Sequence, residues 1–142
     1  MSPLELKKAL VAAGFEVYRT LGNEVILADR VRDNLIMDSG VRIRAGDTLQ
    51  VKLVVGVRRG EFPQDDDAEL FQRVRSLAQP AVLQGFVELS SAVAPMHDPA
   101  DSARTLDTVF EVTLAKELPR LEDASNDLRL ALTLAKIANS SG

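Results

Sequence analysis

Three residues with ligand chemistry crowd into the segment HDPADS. His97 offers an imidazole, and Asp98 and Asp101 offer carboxylates. A nitrogen and four oxygens so close in sequence could hold a divalent cation, which would make the chain a small-molecule or metal-binding sensory domain. The same residues also form a corner. Pro99 pushes Asp98 toward an extended backbone. Asp-Pro-Ala-Asp-Ser is rich in turn formers, and the runs on either side have strand character. The hairpin corner is the reading adopted, with the metal or sensory domain as its alternative. Neighbouring hydroxyls, Ser102 and Thr105, lack a nucleophile's setting of base and orienting group.

Other candidate chemistry is thinner. Asp65-Asp66-Asp67 lacks the alternating ligands and distal glutamate of a calcium loop, and acids there suit the positive end of a helix. Gly56-Val57-Arg58-Arg59-Gly60 has neither Gly-Lys-Ser/Thr nor Gly-x-Gly-x-x-Gly, so it is no phosphate loop. No nucleophile elbow or carboxylate pair stands out. The chain has one histidine and no cysteine, which excludes disulfides, thiol nucleophiles, cysteine-bound zinc and a histidine-rich centre within one chain. No catalytic residue, metal or cofactor is therefore expected, and the chain reads as a non-enzyme.

Charge is informative by its distribution. The net charge is −4, with +3 in residues 1–60 and −7 in residues 61–142. Acidity with one tyrosine and no tryptophan argues against nucleic-acid binding. Arg30, Arg32, Arg42, Arg44, Arg58 and Arg59 lie at strand ends or on outward positions. Arg42 and Arg44 share a face by the two-residue period. One reading is a docking surface for an acidic partner or for the acidic half of another copy. The other, more economical, is charge that protects strand edges from aggregation.

The 142 residues are 46% hydrophobic and 27% charged, which fits one globular domain spanning 1–142. Neither a bilayer-spanning run nor a signal peptide is apparent, so a cytoplasmic location without membrane insertion is expected. Ser2, Pro3 and Glu5 start a helix with a capping box, Leu6, Leu10 and Ala13 give it an apolar stripe, and Gly14 stops it. Strands are expected at 15–18 and 24–28, then at 34–37 and 41–44 around an Asp38-Ser39-Gly40 turn. In the strand from Leu49 to Val57 every second residue is apolar. A second helix starts with Asp66 and Glu69 as its capping box and ends at Pro80. Strands over 86–94 and 105–115 follow, then a helix from about Pro119 to Ala138 with a fraying tail. Clustered strands with short connections favour antiparallel pairing. The fold class is α+β, a twisted antiparallel sheet with helices packed on one face.

Residues Ala68–Glu111 contain Arg-Val-Arg on a helix, a Gly-Phe-Val strand start, a turn, and a Thr-Leu-Asp-Thr strand. With this element order, the chain resembles the small bacterial family related to YbjN and to type III secretion chaperones. It departs from the secretion chaperones in its strand-rich segment 31–47 and its milder acidity. The resemblance implies a small cytoplasmic protein, often dimeric, that binds other proteins and has no catalytic residues. The expected function is a non-enzymatic protein-binding module, chaperone-like or adaptor-like, acting as a homodimer through sheet and helix surfaces. Phe86, Val54 and Val109 are the expected outward apolar contacts, with Arg42 and Arg44 steering a protein partner.

Overall fold

Leu49, Val51, Leu53, Val55 and Val57 are all buried, while the residues between them are half-buried. This is the signature of a strand covered on one face only. In the computed structural model that strand is β4 (Leu49–Arg58), in the middle of the sheet. The structure describes residues 1–140 except 99 and 123, with the backbone alone described at 31 and 136–140. Before β4 come α1 (Pro3–Ala12), β1 (Val17–Leu21), β2 (Glu24–Arg32) and β3 (Leu35–Arg44). After it come a 3-10 turn (Arg59–Glu61), α2 (Asp67–Leu83), β5 (Val87–Asp98), β6 (Asp101–Leu118) and α3 (Ala124–Ser140). Among the described residues the strands form one antiparallel α+β sheet in the order β1-β2-β3-β4-β6-β5.

The three helices share one face. α1 packs on β1 and β2, α3 on β3 and β4, and α2 on β4 and β6. Leu6 and Leu10, Leu70 and Val74, and Leu128 and Ala131 meet the apolar side of the sheet there. Phe71 and Phe110 stack edge to face at 5.3 Å, tying α2 to β6. The capping box expected at each helix start is complete at α2, whereas at α1 its Ser2 half is what the structure shows. Ser2 Oγ accepts from the Glu5 amide at 3.2 Å, and Asp66 and Glu69 form a reciprocal capping box.

Both of these helices end on the same device. Gly14 and Gly85 adopt φ of +94° and +97°, and the amides of Phe15 and Phe86 reach back to the Leu10 and Ala81 carbonyls at 3.0 and 3.1 Å. This left-handed ending throws the next hydrophobic residue back against its own helix. It corrects two expectations. Pro80 does not end α2, which runs on to Leu83. Pro80 and Ser76 are both exposed, so water can meet the carbonyl that loses its partner. Phe86 is not an outward residue: it is 1% exposed and belongs to the core.

Two further boundaries differ. Asp38-Ser39-Gly40 is a bulge inside a continuous β3, not a turn between two strands. The last helix begins at Ala124 rather than near Pro119, because β6 continues to Leu118 to pair with Leu49. Its expected fraying tail includes residues 141 and 142, which lie outside the described residues. No helix of the described residues is long and apolar enough to cross a membrane.

Candidate interaction groove

The sheet is intact at one end and split at the other. β3 pairs with β4 only from Arg44↔Gln50 to Val41↔Leu53, whereas β4 stays paired with β6 as far as Arg58↔Val109. Beyond the split, β2 and β3 run on as a hairpin to Arg32↔Leu35, and β5 and β6 as another to Asp98↔Asp101. Two arms thus leave the same end of the sheet on either side of β4.

The bulge at Asp38–Gly40 makes the split. Ser39 Oγ donates to the Leu27 carbonyl at 2.7 Å and accepts from the Val41 amide at 3.1 Å. The Gly40 amide donates to Asp38 Oδ1 at 2.8 Å, and Gly40 takes φ +81°. Backbone groups that the bulge removes from the ladder are satisfied by these side chains, so the bend in β3 is built in.

A groove of about 380 Å³ opens where the strands part, on the helix-free face. β3 supplies Asp38, Gly40 and Arg42, β4 supplies Val54, Gly56 and Arg58, and β6 supplies Val109 and Glu111; Glu61 of the 3-10 turn closes it. A Cβ at Gly56 would stand 3.0 Å from Val109 Cγ1 and 3.3 Å from the Phe110 carbonyl oxygen, so glycine gives the groove its floor. The turn is latched by Asp107, whose carboxylate accepts from the Gly60 amide at 3.0 Å.

Charges in the groove are paired side by side. Arg58 meets Glu61 at 2.7 Å, which holds the Arg58 guanidinium above its usual pKa through a direct hydrogen bond. Arg42 stands 3.5 Å from Asp38. Two buried polar atoms, Arg42 Nε and Glu61 Oε2, find no hydrogen-bond partner among the described residues. On the same face Lys52 pairs with Glu24 at 2.8 Å, and Ile26 is fully buried between its strand neighbours Arg19 and Arg42. Long charged side chains covering an apolar one account for that burial without a helix.

Three of the expected contact residues, Arg42, Val54 and Val109, thus come together in one groove. Arg44 lies on the same face but beyond the groove, exposed, opposite Gln50 and Glu24, with no ion pair among the described residues. Phe86 is on the other side, in the core. The other arginines are mostly engaged within the chain: Arg30 with Glu16 at 2.8 Å, and Arg59 with Asp67 while lying over the Phe110 ring. The sequence marks Asp38 only as part of a turn and Gly56 only as part of a rejected phosphate loop, and it gives no contact role to Glu61 or Glu111. The two-residue period of β4 does put Val54, Gly56 and Arg58 on one face, but only the pairing shows that the ladder to β3 stops at Leu53.

His97, Asp98 and Asp101 form the corner. Asp98 and Asp101 close the β5–β6 hairpin as cross-strand partners. Asp98 Oδ1 accepts from the Ala100 amide at 2.9 Å, Asp101 Oδ1 accepts from the Ala103 amide at 3.1 Å, and Arg104 stands 3.8 Å from Asp98. His97 is exposed. Pro99, expected to shape this corner, lies outside the described residues. Among the described residues no three His, Asp or Glu side chains gather as a metal-binding set. A second hollow, of about 670 Å³, runs along α2 past Arg73, which stacks 3.9 Å above Phe62 and pairs with Asp65. No family model, curated protein or solved structure matches the chain.

Proposed function

We propose that the chain is a non-enzymatic protein-binding module, chaperone-like or adaptor-like, that works as a cytoplasmic homodimer and receives an extended segment of a protein partner. The observation that carries this reading is the split between β3 and β4. The β3–β4 ladder ends at Val41↔Leu53, and a groove that contains Arg42, Val54 and Val109 opens there. An extended segment can lie in such a groove, with alternate side chains against Val54 and Val109. Unmatched Arg42 Nε and Glu61 Oε2 supply a donor and an acceptor there. Arg44 steers an acidic partner toward the face without occupying the site.

The test is capture from native lysate, read by mass spectrometry against an unfolded bait. Val54→Glu with Arg44→Glu is the informative variant. Arg42→Glu is less clean, because it would set a second carboxylate beside Asp38. The wild-type chain should enrich one protein near stoichiometrically, and the folded double variant should lose it at least tenfold. Equal capture by both, or none by a well-folded wild-type bait, would sink the reading.

A further inference from the structure

The two edges of the sheet differ in how they are defended. β1 is short, carries Arg19 and shifts register between Val17 and Arg19. Short, charged and bulged strands are the usual protection against edge-to-edge pairing. β5 is the opposite edge and runs from Val87 to Asp98. From Leu89 to Met96 it reads LSSAVAPM, with no charge. Val87, Leu89 and Val93 are 63%, 53% and 51% exposed along it.

Pro95 shows which backbone groups face outward. It is paired with Thr108 but has no N–H to give, so it sits at a non-hydrogen-bonded position with its nitrogen turned away from β6. Pairing keeps register from Ser90 to Met96. By alternation Ser91 and Val93 also turn their N–H and C=O groups outward. The bulge at Leu89 and the missing donor at Pro95 bound this in-register stretch, beyond which the register shifts again at Met96/His97. Ala92 is midway between them.

From this symmetry we infer that β5 pairs antiparallel with β5 of a second copy about a two-fold axis at Ala92. The proposal rests on the homodimer reading above and gives it an interface. Under that axis Ser91 faces the partner strand's Val93 twice over, making the free rungs complete. Leu89 falls opposite the partner strand's Pro95, so each interruption meets the other. The Glu88 end of each strand, held by Arg75 at 3.0 Å, comes beside the His97 end of the other. An isologous contact needs this kind of self-complementarity, and it extends the sheet without an unpaired edge at β5.

The chain's lack of cysteine makes the register directly readable. Ala92 would face its own copy in a non-hydrogen-bonded pair, where Cα atoms are about 4.5 Å apart. That lies within the span of about 4.4–6.8 Å that a disulfide bridges. Sedimentation velocity on the purified chain should show a dimer. Val93→Pro, which removes an outward N–H, should shift it to monomer. Under mild oxidation Ala92→Cys should give at least tenfold more covalent dimer than Ala94→Cys. A monomeric wild-type chain would overturn both this interface and the homodimer, while leaving capture at the groove to be judged by its own experiment. A dimer whose Ala94→Cys form crosslinks as readily as Ala92→Cys would overturn the pairing alone. That second comparison holds even if Val93→Pro does not fold.

Discussion

Val109 and Phe110 are adjacent in β6 and belong to different kinds of surface. Phe110 is 1% exposed, sealed between Phe71 and the guanidinium of Arg59. Val109 is half-buried in a groove among Arg58, Glu111 and Gly56. One face of the sheet is held by apolar packing under three helices. The other carries no helix among the described residues and is held by ion pairs and one bulge. The lesson is that the stability of this fold and its capacity to bind are carried by opposite sides of the same strands, so the two can be altered separately.

The largest effect is expected where Phe110→Ala is set against Val109→Ala. Removing a buried phenylalanine costs about 3–5 kcal/mol through lost transfer energy and the cavity left behind. Val109→Ala should cost under about 1 kcal/mol, as surface-side substitutions do. Urea unfolding of both variants reads the difference. Equal losses would mean that the groove is part of the core.

Ser39 tests whether the groove is built in. Ser39→Ala leaves the Leu27 carbonyl and the Val41 amide without the hydroxyl that now serves both. Stranding buried polar groups costs about 1–3 kcal/mol. Urea unfolding of Ser39→Ala should show a loss in that range, and amide exchange at Val41 should rise. A neutral substitution would show that the bend survives without its side-chain hydrogen bonds.

Smaller still is the ion pair on the open face. Lys52 and Glu24 are 2.8 Å apart, with side chains 24% and 21% exposed. A double-mutant cycle with Lys52→Met and Glu24→Gln should return a coupling of about 0.2–1 kcal/mol, falling with added salt. A coupling several times larger would make this face a second stabilising layer rather than a tolerant one.

The covered face was the legible one. Alternation in Leu49–Val57 and the helical stripes at Leu6, Leu10 and Leu70 depend on local spacing, and local spacing is what a sequence displays. The open face was only partly legible. Arg42, Val54 and Val109 were visible as outward residues, but their meeting depends on where β3 leaves β4, a long-range matter of register. Phe86 was misplaced because its fate is decided one residue earlier. Gly85 at φ +97° turns the chain after α2, and a helix taken to end at Pro80 hides that glycine's role. Leu106 follows the apolar period of β6 yet is exposed, since the strand outruns the helices that would cover it.

The least effect belongs to a pair that neither face protects. Glu16 and Arg30 are joined by two hydrogen bonds of 2.8 Å. Hydrogen bonding from Arg30 lowers the Glu16 pKa, against an opposing effect of burial, and raises that of Arg30. For a carboxyl whose folded-state pKa is depressed, the linked stability is full above the unfolded value. It is lost as pH falls through the folded value. Arg30 stays charged throughout, so this window belongs to Glu16 alone. A carboxyl-detected NMR titration should place Glu16 below an unpaired glutamate, and Arg30→Gln should bring it back. Because both side chains are about half exposed, the same substitution should leave the urea midpoint at neutral pH nearly unmoved. A Glu16 that titrates normally with Arg30 in place would show the pair to be open in solution, and would leave the β2–β3 arm tethered only by its strand pairing.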